Sequence, residues 1–223
     1  MFASEAARLR EILLAAGDVS PLLNLGSSTG HFRTVEKPHI EAELFAPLRK
    51  AGIEVLHADL KPALGVDVAG DILDPDLQQQ LVAKGFRCVL LSNLLEHVKD
   101  REAVAAACET IAGPGGLILA TVPSSFPFHA DPIDTGFRPV PEELAALFAN
   151  SDPVLAEEVE GPTYRQRMRQ RGATLPGEAL RTAFLTVAAP FRPKSARARL
   201  SRWRWFSRPY RVSVALLRVR TSS

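Results

Sequence analysis

Leu22-Leu23-Asn24-Leu25-Gly26-Ser27-Ser28-Thr29-Gly30 is a short apolar run stopped by a turn between two glycines. A run of that length ending in turn residues reads as a buried strand over 21–25. What lies on either side is helical. Upstream, Leu9, Ile12, Leu13 and Ala16 recur at helical spacing across 3–16, and Gly17 can end the helix. Downstream, Ile40, Leu44, Phe45 and Leu48 share one face over 37–50, with Gly52 past the end.

The alternation continues outward. A second strand, 53–58, closes on Asp59, and a third, 66–69, on Gly70 and Asp71. Asp74 caps the next helix, with Pro75 at its first position. A fourth strand covers 88–91, Asp100 caps the helix after it, and Gly113-Pro114-Gly115-Gly116 turns into a fifth strand, 117–122. Pro141 opens another helix, with Leu144, Leu147 and Phe148 on one face. After Gly161 only 212–219 reads clearly as a strand, and no internal repeat is visible. Strands alternating with helices imply crossover connections. The expected fold is α/β: a Rossmann-like, doubly wound, mainly parallel seven-stranded sheet with helices on both faces and a basic C-terminal extension. Residues 1–160 form the expected core, and 161–223 an extension that returns its last strand to the sheet.

Composition narrows the function classes. With 223 residues and 46% apolar content, one sizeable core can be buried. No apolar run approaches the ~18 residues of a membrane span, and the first ten residues hold Glu5 but no apolar signal core. A cytoplasmic protein is expected. Cys88 and Cys108 lie in apolar-periodic segments and read as core residues. Charge is unevenly distributed: from Gly161 onward there are 15 Lys and Arg against a single acid, Glu178. Two readings stay open: a basic surface for an anionic partner, or a tail folded back on the acidic remainder.

In an open α/β sheet, ligands bind beyond the carboxyl ends of the strands. The first strand is followed by Gly26-x-x-x-Gly30, where the backbone can approach a ligand. The second is followed by Asp59, suited to a pair of ribose hydroxyls, and the third by Asp71, suited to an adenine amino group. The fourth is followed by Ser92-Asn93-Leu94-Leu95-Glu96-His97. Each is weak alone; their occurrence in order, one per strand, is not.

Together these segments resemble the class I S-adenosylmethionine-dependent methyltransferases, over about 22–148. The Asn93–Val98 stretch is the most specific part of the likeness. The resemblance implies S-adenosylmethionine as cofactor. It places Gly26 and Gly30 at the methionine part, Asp59 at the ribose, Asp71 with Ile72 at the adenine and Asn93 on the floor beside the sulfonium. Asn24, Ser27, Ser28, Leu60, Ser92, Leu94 and His97 complete the expected cofactor-binding set. The chain departs from the family where the middle glycine of the turn is Ser28 and the acid two residues before Gly26 is Asn24. The crossover to Asp59 is also longer than usual.

The family's acceptor-facing loop follows strand five. Here it holds His129, the candidate general base, with Asp131 or Asp134 to orient it. His97 competes for that role. The spacing of His129, Asp131 and Asp134 matches no firm metal template, so no metal is expected. The stretch 192–211 mixes Arg with Trp203, Trp205 and Phe206, suited to an anionic membrane surface at the periphery or to packing on the sheet. Nucleic acid ranks lower, since no RNA-binding module is visible. The expected function is methyl transfer to a small molecule, a glycan, or a lipid-linked or phosphate-bearing acceptor. The alternatives are a non-catalytic binding module with the same fold and an RNA methyltransferase.

Overall fold

A computed structural model describes residues 1–127, 134–187 and 200–221. The strands are β1 (Leu22–Leu25), β2 (Val55–Asp59), β3 (Val68–Ala69), β4 (Cys88–Ser92), β5 (Leu117–Ser125), β6 (Ser151–Thr163) and β7 (Pro209–Val219). They form one sheet in the order β3-β2-β1-β4-β5-β7-β6. β1 to β5 are parallel, whereas β7 runs antiparallel to both β5 and β6. The sheet is therefore mixed, with β7 alone running against the rest. The winding direction reverses between β1 and β4, where such sheets open a crevice at the strand ends.

Strand alternation builds two cores. Leu22, Leu90 and Leu119 face α1 (Ala3–Ala16) and the helical stretch made of α2 (Pro38–Ile40), a π-turn (Glu41–Phe45) and α3 (Ala46–Lys50). Leu23, Leu91 and Ile118 face the other way. They pack on α4 (Pro75–Val82), α5 (Arg101–Ala112) and α6 (Pro141–Ala146) through Leu81, Val104, Ile111 and Leu144. Asp74 and Asp100 cap α4 and α5 as their positions predict. Cys88 and Cys108 are buried and free, and burial pushes the Cys88 thiol up to about 12.

β6 is absent from the sequence expectation. It is an edge strand whose inward row is only partly buried and has Glu157 between Leu155 and Val159, and Pro153 and Pro162 interrupt its pattern. Two further helices follow it: α7 (Tyr164–Gln170) and α8 (Leu175–Val187). Thr163 and Gln166 cap α7 reciprocally, Thr163 Oγ1 accepting from Gln166 N and Gln166 Oε1 from Thr163 N.

The two tryptophans of the basic stretch pack within the protein. They join Tyr164, Met168, Tyr210, Phe2 and Phe126 in a third, aromatic-rich cluster. Trp203 Nε1 donates to Thr182 Oγ1 at 3.1 Å, and Trp205 Nε1 donates to Ser125 Oγ at 2.9 Å. Arginines of β7 meet acids of β6: Arg211 pairs with Glu158 and Glu160. Just past the strand, Arg220 pairs with Asp152. Among the described residues, no helix is long and apolar enough to cross a membrane.

Candidate active site

The loop after β1 is shaped by backbone geometry. Gly26 has φ +70°, and a Cβ there would lie 2.9 Å from Leu94 Cδ1. Ser28 has φ +55°, so it takes up the left-handed conformation that a glycine would adopt more cheaply. The serine thus holds the turn in a conformation otherwise suited to glycine. The Ser28 N–H donates to Asp59 Oδ2 at 2.7 Å, tying the end of β1 to the end of β2.

Arg33, a residue without a role in the sequence reading, clamps this loop from beneath. Only 4% exposed, it donates to Ser27 O at 2.8 Å, Ser28 O at 2.7 Å and Gly65 O at 2.5 Å. Gly30 packs on the same support, donating its N–H to Leu64 O at 2.8 Å. It holds the loop against residues 64–65, whereas Gly26, Ser27 and Ser28 line the groove above. A lone arginine in the short helical turn Phe32–Glu36 carries no periodic signal, so nothing in the sequence pattern marks Arg33.

Asn24, at the family's acidic position, is buried and lies 3.0 Å from buried His57, Nδ2 to Nδ1. Burial, with the Arg33 charge nearby, lowers His57 to about 4, so its ring is neutral near pH 7. A neutral Nδ1 can accept from the Asn24 amide. An aspartate at 24 would instead require the ring tautomer protonated at Nδ1, or a charged ring, to donate to it. Asn24 and His57 thus form a matched pair.

The other predicted positions meet at the same groove. Asp59, Leu60, Asp71, Ile72, Ser92, Asn93, Leu94 and His97 all line it. Asp71 Oδ1 accepts from Leu73 N at 3.0 Å. Asn93 sits at φ +53° and donates through Nδ2 to Glu5 Oε1 at 2.7 Å. Glu5, 1% exposed, also accepts from Thr121 Oγ1 and from Phe2 N, which pins the start of α1 across the ends of β4 and β5. The sequence reading assigned Glu5 no part, because helix periodicity marks only the apolar face of α1.

Glu96 is a second missed carboxyl. It is 1% exposed and lines the groove, and among the described residues its Oε2 has no hydrogen-bond partner. Burial raises it to about 7. His97 Nε2 lies 3.8 Å from Glu96 Oε1. His129 and Asp131 lie outside the described residues. Asp134 is engaged by Arg138 at 2.6 Å and by the Gly136 N–H at 2.8 Å.

The groove encloses about 1980 Å³. A single small ligand occupies roughly 300–1,000 Å³, so there is room for two molecules side by side. One wall is the loop set after β1 to β4. The other is formed by Phe2, Lys37, Phe126, Gly161 and Arg167.

This strand order, with its groove at the β1/β4 reversal, is the class I S-adenosylmethionine-dependent methyltransferase fold. No family model and no curated protein sequence matches the chain. Solved structures do. A SAM-dependent methyltransferase from Archaeoglobus fulgidus is 15% identical, aligning over 96% of this chain and 92% of its own, with a TM-score of 0.55. Coclaurine N-methyltransferase, bound to N-methylheliamine and SAH, is 14% identical over 96% of this chain and 70% of its own, with a TM-score of 0.54.

Proposed function

We propose that this protein binds S-adenosylmethionine and transfers its methyl group to a small-molecule acceptor. The observation that carries the reading is convergence. The strand-end groups Gly26, Asp59, Asp71 and Asn93, scattered through the sequence, line one groove large enough for cofactor and acceptor together. Asp59 keeps Oδ1 for a ribose hydroxyl while Oδ2 holds Ser28. The methionine part would lie along Gly26–Ser28, and the adenine against Asp71 and Ile72. Methyl transfer from a sulfonium needs in-line approach in a dry, ordered site, and placement alone is worth up to ~7–11 kcal/mol in favourable cases. An oxygen or nitrogen acceptor also needs its proton removed. Glu96, with a value near 7 and one unengaged oxygen, fits that role by its chemistry. His129 stands as the alternative base. A glycan or lipid-linked acceptor is compatible with the open wall, but the packing of Trp203 and Trp205 inside the protein favours an acceptor taken from solution over one drawn from a membrane.

The test is calorimetric titration with S-adenosylhomocysteine of the wild type and of Gly26→Val. The valine would need φ +70° and would press on Leu94. Wild-type binding and no detectable binding to the variant, with both giving the same circular dichroism, is the expected result. Absence of wild-type binding would end the reading. Turnover is then sought as a gain of one CH₂ in mass among small molecules incubated with enzyme and cofactor.

A further inference from the structure

Two cations on the groove wall that holds Phe2, Phe126 and Gly161 have no acid within ion-pair distance among the described residues. Most arginines near β6 and β7 have partners: Arg8 pairs with Glu157, Arg211 with Glu158 and Glu160, and Arg220 with Asp152. Lys37 and Arg167 differ. Both are half-buried and both line the groove, yet neither has an acid within ion-pair distance among the described residues. Lys37 meets the Met1 amine and Arg167 the Tyr210 hydroxyl, neither of which supplies a negative charge, and both cations lie near aromatic rings. Lys37 Nζ lies 4.8 Å from the centre of the Phe32 ring, and the Arg167 guanidinium lies 5.8 Å from Phe2 and 5.6 Å from Tyr210.

The acids that act on Lys37 are its exposed chain neighbour Glu36, with which it forms no ion pair, and Glu5, which is already committed. Glu5 accepts from Phe2 N, Asn93 and Thr121. Glu96 sits beside His97 and is held toward its neutral form by burial. Burial lowers both Lys37 and Arg167, and each is lowered further by a neighbouring cation: Lys37 by Arg167, Arg167 by Arg171. Two half-desolvated positive charges that repel each other make an environment that an anion relieves. Arginine supplies a planar fork that matches a carboxylate or phosphate, and lysine a point charge beside it.

We propose that Lys37 and Arg167 bind an acid group, carboxylate or phosphate, carried by the methyl acceptor, and that Phe2, Phe32 and Phe126 receive its apolar body. The acceptor class is thus a small amphiphilic anion. This rests on the reading of the groove as a methyltransferase site and names what fills its second half.

The probes are phenyl phosphate, benzoate and neutral benzyl alcohol, titrated against the full chain by ligand-observed NMR with and without S-adenosylhomocysteine. Cofactor-product affinity is measured separately by calorimetry. Both anions should bind at least about tenfold more tightly than benzyl alcohol, the scale of one charge-assisted hydrogen bond. Stronger binding of phenyl phosphate than of benzoate would mark phosphate as the preferred group; the reverse would mark carboxylate. R167Q and K37Q should each weaken the better anion about tenfold, with R167K between them and wild type, while S-adenosylhomocysteine affinity stays unchanged. R211Q, which removes an equal charge from the paired surface, should leave anion binding intact. Equal binding of all three probes overturns the proposal. So does an unchanged anion affinity in K37Q and R167Q, or an equal loss in R211Q. If S-adenosylhomocysteine binds without any anion preference, this proposal fails and the methyltransferase reading stands. If the anions bind through Arg167 but S-adenosylhomocysteine does not, the anion site stands and the methyltransferase reading fails.

Discussion

The loop after β1 and the wall that faces it are assembled in different ways. The loop is mainly backbone: positive φ at Gly26 and Ser28, a peptide N–H held by Asp59, and carbonyls gathered by Arg33. The facing wall is mainly side chains from distant parts of the chain. Phe2 stacks on Tyr210 at 5.6 Å, Phe126 lies 4.8 Å from the same ring, and Arg167 reaches over both Phe2 and Tyr210. A backbone-built surface can hold a fixed ligand while side chains vary. A side-chain-built surface can change its ligand by a few substitutions. This division suits a protein that keeps one cofactor and selects its acceptor.

The comparison breaks most readily at Arg33. If the guanidinium, and not the backbone alone, holds the loop, Arg33→Leu strands three carbonyls. Urea unfolding should then show a loss on the order of 3 kcal/mol, at the rate of ~1–3 kcal/mol per unsatisfied buried group. A loss below ~1 kcal/mol would mean that the loop holds itself.

Glu96 offers the next largest effect, and its sign depends on pH. A carboxyl raised from 4.5 to about 7 is protonated in both folded and unfolded chains below 4.5, so burial costs nothing there. As pH rises toward about 7, the unfolded chain releases its proton first and the folded state loses stability relative to it. Above that value the loss is constant. Glu96→Gln should therefore stabilise the protein at pH 8 by about 3 kcal/mol, at ~1.4 kcal/mol per pKa unit. It should change little at pH 4.5. Thermal melts at the two pH values check this, and a gain that does not depend on pH would remove titration as its cause.

The smallest effect belongs to the outer wall. Arg211 is paired but solvent-facing, so Arg211→Gln should cost under ~1 kcal/mol, and less in high salt. A larger cost in chemical denaturation would make the β6–β7 pairing electrostatic instead of backbone-driven.

These two regions were also unequally legible in the sequence. β1, β4 and β5 are interior strands, so their apolar runs stand out, and Asp74 and Asp100 announce the helices after β3 and β4. The residues of the β1 loop are near one another in sequence, so motif spacing could find them. β6 has one strand neighbour, and Glu157 stands in its inward row between Leu155 and Val159, which weakens the alternation that would mark it. Only the part of β7 after Tyr210 reads as apolar alternation. Glu5, Arg33 and Glu96 are charged residues that are nearly fully buried, and burial of a charge is decided by partners brought from elsewhere in the chain. Nothing local marks Arg33 as reaching Gly65, or Glu5 as reaching Thr121.

The place of β7 also bears on how the chain assembles. β7, which follows every other strand of the sheet in sequence, fits between β5 and β6, and β6 has no other strand partner in the sheet. A nascent chain that has emerged only as far as residue 208 therefore presents the open edge of β5, an apolar row from Leu117 to Val122, while β6 waits without a ladder to join. An unpaired edge of that composition invites association between chains. Shortening the protein before Pro209 would accordingly remove two strands from the sheet, not one, and yield should fall through aggregation although every residue lining the groove is still present.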